Sequence, residues 1–555
     1  MPDLYDVVDE TCGEGTANIE LTEEQKQKLP PTRTQISNLS LPKEKSQIGG
    51  ACSNLVNSVV GAGIIGIPYA LKESGLVAGV ILLVLVSFFT DRTLRMLVEL
   101  AHFHPKLKAI DVLTFEDLIS LPFGEIGGHF ILASMLFVAY GAMVAYLLII
   151  KDTVPIIIGF SDDPGAGGFM QSELVMVVAS LVVIVPLSMQ RDMSSLAYTS
   201  ALSVMADIVL VGIIAMFSPY QETVANNGGI VAIMKDDVIG YGFFIGFGVL
   251  TTAMTCQHSA FIVSGSLQGL STKRWSIVTM LSMVAACFLC AILGITGYLG
   301  FLDETKGDVL NNFDYEAREG TVARCLLALT MFFTYPMEAF VARHVIMKLL
   351  YDGDMDGDTV SDNSSFLGSL SNRRVKWTWI LYLATLIPAL IVDDLGPVLS
   401  ITGALGGCCL AYIGPGLVYL GINGDFFLEY VGSVLDGSNP STPPDASTDD
   451  DGAYTNMAVD PSSTAQRLSG PKPWWWYPLL MPLWVRIASH GSNGMQERLA
   501  GLAAQHRLSL NNEDYLGTET VIPTKRDYFL SIFFIVFGTI SLIAGLLSNF
   551  VAYVM

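Results

Sequence analysis

The chain has 555 residues, of which 51% are hydrophobic and only 15% are charged, and its formal net charge is −22. This composition is too apolar for an ordinary soluble domain, and the excess of acidic residues argues against nucleic-acid binding. The eight cysteines follow neither a zinc-binding nor a disulfide pattern. We therefore expect an integral membrane protein.

Residues 1–47 are polar and lack the apolar core of a secretory signal, so they predict a disordered cytosolic tail. Further along, apolar segments reach the roughly 20 residues that cross a bilayer as a helix. Eleven such segments predict an all-α polytopic membrane protein with eleven transmembrane helices: 48–71, 76–100, 129–158, 172–190, 196–218, 238–268, 276–301, 320–350, 376–392, 395–421 and 527–552.

The first segment, Ile48–Leu71, is unusually rich in glycine for a membrane helix, with Gly61 and Gly63 at its centre. Every backbone N–H and C=O in lipid needs a partner, so a weakly helical centre is costly unless it faces protein, ion or ligand. We expect this helix to break at Gly61–Gly63 and the break to form a binding site. Close packing of small residues against a neighbouring helix is the alternative.

Segment six, residues 238–268, shows the same kind of interruption, because glycines precede a polar stretch in it. Secondary transporters often contain inverted repeats whose first helices are unwound at the bilayer midplane. A five-plus-five repeat would pair segment six with segment one, and both would be broken. The polar candidates for substrate binding in segment six are Thr252, Thr255 and Gln257.

A broken helix at segment one suits an amino acid as ligand. The half-helix after Gly63 offers free N–H groups and a positive dipole end to a carboxylate. Carbonyls that are freed on the other side of the break can hold an ammonium group or an alkali cation. The substrate-binding prediction at this break covers Gly61, Ala62 and Gly63.

Segment eight adds hydroxyl and carbonyl oxygens, which suit sodium. Thr330 and Thr334 share one helical face, and Pro336 frees a carbonyl in the preceding turn. Alternatively, each threonine caps its own backbone at a proline kink. Among ionisable residues inside the predicted spans, Asp207 and His258 are candidates for carrying a proton, although a buried structural histidine is an alternative for His258.

Lys and Arg are concentrated in the tail and in every second loop, which places the N-terminus in the cytosol by the positive-inside rule. Residues 48–421 then form a ten-span core, 422–526 a long cytosolic loop, and 527–555 the eleventh span with a short C-terminus. The first part of the loop is acidic, proline-rich and predicted to be disordered. Its tryptophan-rich segment, which contains Trp474–Trp476 and Trp484, lies at the membrane interface or packs on the bundle. The loop is also the candidate site for a cytosolic partner.

Four motifs together are similar to those of the amino acid/auxin permease family, especially the sodium-coupled neutral amino acid transporters. They occur in the family's order over residues 47–421: NLVNSVVGAGIIGIPYAL at Asn54–Leu71, CQHSAFIVSGSL at Cys256–Leu267, GDVLNNF at Gly307–Phe313 and TYPME at Thr334–Glu338. The chain departs from the pattern at Gln257 and Ser259, where the family has His and Asn, and in the long loop before the last span.

The resemblance implies a LeuT-like core that moves neutral amino acids and performs no enzymatic reaction. It also implies a cation site formed by Asn57, the carbonyl of Val60, Thr334 and Thr330, with the main chain at Gly61–Gly63 taking the substrate carboxylate. No cofactor is expected beyond a coupling ion, Na⁺ or H⁺. Three alternatives stay open. The protein is either a sodium-coupled transporter or a proton-coupled vacuolar or lysosomal one, and it lies either in the plasma membrane or in an internal membrane. It either transports amino acids or senses them.

Overall fold

A computed structural model describes residues 46–104, 107, 112–159, 169–189, 197–314, 317–351, 373–435, 481–506, 521 and 524–554. Within these ranges the chain is almost entirely helical, and an isolated bridge between Ser46 and Leu267 is the only β pairing there. The predicted tail lies outside the described residues except for its last two positions, and so does the stretch 436–480 with Trp474–Trp476.

The helices are numbered here in chain order. The first group is α1 (Ile48–Val60), α2 (Ile67–Ser74), α3 (Leu76–Phe103), α4 (Phe115–Ile157), α5 (Phe169–Ala179, continuing through a π-helical turn at Ser180–Ile184 to Val185–Ser188), α6 (Ala197–Phe217), α7 (Tyr220–Asn226) and α8 (Ile230–Asp236). The second group is α9 (Phe243–Met254), α10 (Ala260–Ser266), α11 (Thr272–Phe301), α12 (Arg318–Tyr351), α13 (Arg373–Ile391), α14 (Leu395–Thr402), α15 (Gly414–Ile422), α16 (Gly424–Leu435), α17 (Met481–His506) and α18 (Lys525–Val554).

In the part of the chain that the structure describes, eight helices are long and apolar enough to cross a membrane, or nine if α1 and α2 form one bent span. The apolar helix Glu173–Ser188 is shorter than a full span, and predicted segment six is divided between α9 and α10. Two π-helical turns join α14 to α15 into one of the eight spans.

The first apolar segment breaks at the predicted glycines. Helix α1 ends at Val60, a 3-10 turn covers Ala62–Gly66, and the stretch Gly63–Ser74, which includes α2, is bent by 49° from α1. Gly63 allows this turn to touch α9, because a Cβ on it would lie 2.5 Å from the Cα of Ala253. A residue with a side chain would push the two elements apart.

Segment six breaks as well. Helix α9 ends at Met254, Thr255 has extended backbone angles, and a short 3-10 turn, Gln257–Ser259, leads into α10. The Ser58 hydroxyl of α1 donates to the Ser259 hydroxyl at 2.9 Å, which joins the two interrupted segments directly. The fold therefore brings both breaks to one place in the bundle.

Helix α4 has two parts that meet at Gly124, whose φ of 66° and ψ of −156° are non-helical. The Thr114 hydroxyl caps its first turn by accepting a hydrogen bond from the Asp117 N–H at 3.3 Å. Helix α17, from the predicted loop, packs beside residues 115–123 of this first part, where Arg498 donates to the Leu121 carbonyl at 2.7 Å. That part of the loop is thus a helix docked on the bundle.

An aromatic cluster fixes the last helix, α18, to the core. Phe534 and Phe537 of α18 contact Phe89 of α3 and Tyr412, with ring centroids 5.4–6.4 Å apart. Such aromatic pairs stabilise by about 0.5–1.5 kcal/mol beyond the area that they bury. Helix α18 is therefore an integral part of the bundle.

Candidate functional site

A cavity of about 120 Å³ lies where the breaks of the two interrupted segments meet helices α4 and α12. Segment one contributes Asn57, Ser58 and Gly61 to its wall, and segment six contributes His258 and Ser259. This volume is several times the roughly 30 Å³ that one water occupies in the liquid. Polar groups from both breaks therefore face a common space that can hold a small solute.

The break in α1 presents backbone to the cavity at Gly61. A Cβ at this position would meet only the Tyr146 hydroxyl, at 3.5 Å, so the main chain can be approached closely. The first hydrogen bond of the following turn joins the Ile64 N–H to the Gly61 carbonyl at 3.2 Å. The N–H groups of Ala62 and Gly63 come before Ile64 in the chain. They therefore occupy the start of the turn, where N–H groups have no partner within the helix.

Two of the four residues predicted to bind the cation line the cavity, and they come from different helices. These are Asn57 of α1 and Thr334 of α12. The hydroxyl of Thr334 donates to the Thr330 carbonyl at 2.6 Å, and the Thr330 hydroxyl donates to the Leu326 carbonyl at 3.1 Å. A hydroxyl that donates in this way keeps its oxygen lone pairs, so backbone capping and cation binding are compatible at Thr334.

Val60 and Thr330 are placed differently. The Val60 side chain is fully buried, and Thr330, 2% exposed, is not among the described residues that line the cavity. Gly63 lies against Ala253 rather than on the cavity wall. The structure thus separates residues that shape the break from residues that face the space beside it.

The polar side chains predicted in segment six interact mainly with protein. Thr252 donates to the Leu399 carbonyl at 2.6 Å, and Thr255 donates to the Thr251 carbonyl at 2.6 Å. Gln257 is fully buried, and its amide donates to the Thr93 hydroxyl at 3.1 Å. These three side chains hold the break in place, while the neighbouring His258 is the one that lines the cavity.

The two candidates for carrying a proton lie in different environments. His258 is on the cavity wall. Asp207 is 2% exposed on α6 and is not among the described residues that line the cavity. Of the two, only His258 can reach a solute in this space.

The end of the cavity that is predicted to face the cytosol contains an ion-pair network. Lys348 of α12 bonds to Glu116 at 2.9 Å and to Asp117 at 3.0 Å, which ties α12 to the first turn of α4. Glu116 and His344 both line the cavity here. Because α4 and α12 meet at these charged residues, the two helices border the route from the cavity to the predicted cytosolic side.

At the predicted outer end of α4, contacts join the helix to two neighbouring loops. Lys151, 6% exposed, donates to the carbonyls of Ala389 and Val392 at 3.1 and 2.6 Å and to the Asp393 carboxylate at 3.1 Å. Beside it, Asn311 donates to Asp152 at 2.7 Å. Two connecting regions are therefore fastened to the end of α4 on the predicted outer side.

Several cavity residues have no counterpart in the predictions. Glu116 and Thr114 lie in the mixed polar stretch before the third apolar segment, which hydropathy alone gives no reason to place near the site. Tyr146 is a polar-tipped residue in the long apolar run of α4, which is a weak signal in the sequence. Glu338 differs, because an ionisable residue within a predicted span is a functional candidate by default, with pairing to Arg343 or extension to the membrane surface as the alternative.

Comparison with known proteins gives the family. Residues 44–427 match the model described as "Transmembrane amino acid transporter protein". The chain is 30% identical over 381 residues to the Mus musculus protein named "Putative sodium-coupled neutral amino acid transporter 11", covering 68% of this chain and 78% of that protein. It is 28% identical over 375 residues to "Vacuolar amino acid transporter 2" of Saccharomyces cerevisiae, covering 67% and 76% of the two chains.

Among solved structures, a sodium-coupled sialic acid symporter in a substrate-bound outward-open state is 13% identical, with a TM-score of 0.44 over 72% of this chain and 88% of that one. The family model covers well over half of the chain, and its span includes both broken segments and the cavity between them. The protein belongs to the amino acid/auxin permease family of transmembrane amino acid transporters.

Proposed function

We propose that this protein is a secondary active transporter of neutral L-amino acids that uses sodium as its coupling ion and works by alternating access. The supporting observation is the cavity, which brings the glycine break of α1 together with Asn57 and Thr334. In the proposed arrangement the main chain at Gly61–Gly63 takes the substrate carboxylate. Asn57, Thr334 and the Val60 carbonyl, with Thr330 behind them, hold sodium.

The proposal includes eleven spans in a five-plus-five inverted repeat, with the N-terminus in the cytosol. The meeting of the two breaks at one cavity supports the repeat, because equivalent first helices of two inverted halves converge at the midplane. The end at Lys151 then faces outside, and the end at Glu116 faces the cytosol. In this arrangement the described conformation is closed to the outside.

A membrane potential can drive such a carrier. One unit charge that moves through 100 mV supplies about 2.3 kcal/mol, which corresponds to roughly 50-fold accumulation of the substrate. Sodium fits hydroxyl, amide and carbonyl oxygens, since hard cations prefer oxygen ligands. No covalent step is required.

The test is uptake of radiolabelled neutral amino acids by reconstituted protein under an imposed sodium gradient. We expect Asn57→Ala and Thr334→Ala to raise the half-saturating sodium concentration at least tenfold while the protein remains folded. Thr296→Ala is the matched control, because Thr296 makes the same hydroxyl bond to a carbonyl four residues earlier, at 2.7 Å, but lies on α11 outside the cavity wall. Equal effects of all three substitutions would remove support for the cation site.

Proton coupling is the second candidate, because His258 lines the cavity and a vacuolar protein is among the relatives. Uptake that ignores sodium but follows an imposed pH gradient, and that His258→Gln makes insensitive to that gradient, would replace sodium with the proton. Binding of an amino acid without any flux would instead favour a sensor.

A further inference from the structure

Glu338 lies on the cavity wall one helical turn beyond Thr334. Four residues of α-helix advance about 6 Å along the axis, and positions four apart share a face. Glu338 and Thr334 therefore face the same space, with Glu338 nearer to the end that borders Glu116 and His344. A solute leaving Thr334 towards that end passes the Glu338 carboxylate.

The other charges around this end have protein partners. The Lys348 ammonium forms an ion pair with the Glu116 carboxylate at 2.9 Å, and it also bonds to the Asp117 carboxylate. Arg343 follows Glu338 on α12 but donates elsewhere, to the Ser188 carbonyl and the Thr378 hydroxyl, both at 2.8 Å. The sequence alone suggests that Glu338 and Arg343 pair or extend to the membrane surface, whereas these contacts turn Arg343 towards α5 and α13.

Glu338 itself makes no hydrogen bond or ion pair with any residue that the structure describes. The Glu338 side chain is half-buried and faces the cavity, so its carboxylate has lost part of its contact with water, which is costly for a charge without a partner. Carboxylate oxygens are also the preferred ligands of hard cations, so a cation in the cavity would remove that cost. The partner that the protein does not supply can come from the transported ions.

We propose that Glu338 provides a second cation position in the cavity, which holds sodium between the Asn57–Thr334 position and the predicted cytosolic side. This inference rests on the proposed function, since it needs a cation to pass through the cavity. The carboxylate attracts sodium at Thr334 through space and receives it on release. A neutral amide at position 338 lacks the charge but keeps the size and shape of the side chain.

The experiment is amino acid exchange by reconstituted wild-type protein and Glu338→Gln, with sodium varied at equal concentration on both sides. We expect the substitution to raise the half-saturating sodium concentration about tenfold, a size consistent with one unit charge at this separation in a partly screened site. The amino acid concentration for half-maximal exchange at saturating sodium should not change. Glu338→Asp keeps the charge on a shorter side chain and should fall between the two.

The matched control is Glu319→Gln, which removes the same charge from the exposed first turn of α12 and should leave the sodium dependence unchanged.

An unchanged sodium dependence in Glu338→Gln overturns this inference but not the proposed function. A shift in the amino acid dependence with unchanged sodium dependence also overturns it, because Glu338 would then bind the substrate ammonium. Exchange by the wild-type protein that ignores sodium overturns the proposed function and this inference together. If Glu338→Gln does not fold, Glu338→Asp with wild-type sodium dependence overturns it.

Discussion

At the scale of single residues, the two central glycines of the break have different roles. A Cβ on Gly61 would meet only the Tyr146 hydroxyl, at 3.5 Å, whereas a Cβ on Gly63 would lie 2.5 Å from the Cα and 2.8 Å from the Cβ of Ala253. Gly61 therefore lets a ligand approach, and Gly63 lets the 3-10 turn approach α9. The absence of a side chain is therefore needed at both positions, but for ligand approach at one and for helix packing at the other.

Gly63→Ala should destabilise the protein by about 1–3 kcal/mol, because overpacking at a backbone contact forces the two elements apart. The measurement is the unfolding temperature of purified protein. Gly212→Ala on α6 is the control, since a Cβ added there would meet no atom within 4 Å, and it should leave the unfolding temperature unchanged. Equal unfolding temperatures for both variants would contradict the contact with Ala253.

Asp308 lies in the loop before α12 and predicts a pH dependence of stability. It is 2% exposed; one carboxylate oxygen accepts from the Leu310 N–H at 2.8 Å, and the other has no partner among the described residues. Burial, reinforced by the nearby Asp152 carboxylate, raises the pKa of Asp308 from 3.8 to about 7. The folded protein thus binds this proton more tightly than the unfolded chain does.

The resulting stabilisation is complete below pH 3.8 and is lost as the pH rises through about 7. Between these values the free energy of unfolding should fall by up to about 1.4 kcal/mol per pH unit. Asp308→Asn keeps the acceptor for Leu310 without the titration, so its advantage over wild type should grow from pH 5 to pH 8. Unfolding temperatures that run parallel across this range would show that Asp308 does not titrate in it.

Sequence reasoning at this scale located the break but could not assign each polar side chain. Gln257 is predicted to bind substrate and the adjacent His258 to carry a proton or be a buried structural residue, yet Gln257 bonds to Thr93 and His258 lines the cavity. Which of two neighbouring residues faces a ligand depends on the local backbone turn. The 3-10 turn at Gln257–Ser259 sets these directions, and no periodic pattern in the sequence encodes it.

At the scale of elements, helix α17 shows how part of the long loop attaches to the core. Gly491 allows a close backbone contact, because a Cβ there would lie 2.5 Å from the Cα of Gly421 at the end of α15. Phe123 stacks on His490 with ring centroids 6.4 Å apart. Since the first turn of the same 115–123 segment lines the cavity, α17 supports one wall of the site from behind.

Gly491→Val should separate α17 from α15 and expose the loop. We expect faster cleavage of the loop by protease in the full-length protein, with a smaller change in the unfolding temperature of the bundle. Asn493→Val is the matched control, because Asn493 is exposed on the same helix. Cleavage that is equally fast in both variants would mean that α17 does not depend on this contact.

The first part of α4 is the element that the apolar pattern missed. The third predicted segment begins at residue 129, whereas the helix begins at Phe115 and bends at Gly124. Residues 115–128 mix charged, apolar and glycine residues, so they lack the continuous apolar run that marks a span. Their helix is stabilised by the Thr114 cap and by tertiary partners such as Lys348 and Arg498, which come from distant parts of the chain.

At the scale of the whole molecule, the sequence predicts the helical class and the two interruptions, because glycine and length act locally. It does not predict the contacts that fasten the end of α4 to its neighbours. Those contacts depend on Lys151, a residue near the end of an apolar segment whose partners include the carbonyls of Ala389 and Val392 more than 230 positions away. Every residue has a backbone carbonyl, so the residue type does not show which carbonyl accepts the bond. Such a contact can be identified only from the folded structure.

Lys151→Gln should weaken the closed outer side and shift the protein towards outward-facing conformations. A glutamine is shorter and uncharged, so it cannot satisfy two carbonyls and the Asp393 carboxylate together. We expect a Ser58→Cys reporter in the cavity wall to react several-fold faster with a membrane-impermeant thiol reagent added outside. The control is Lys306→Gln, an exposed cation on the same side that bonds to the Asn311 carbonyl at 3.2 Å. A rate that rises equally in both variants would attribute the effect to surface charge, and an unchanged rate would show that Lys151 does not hold the outer side closed.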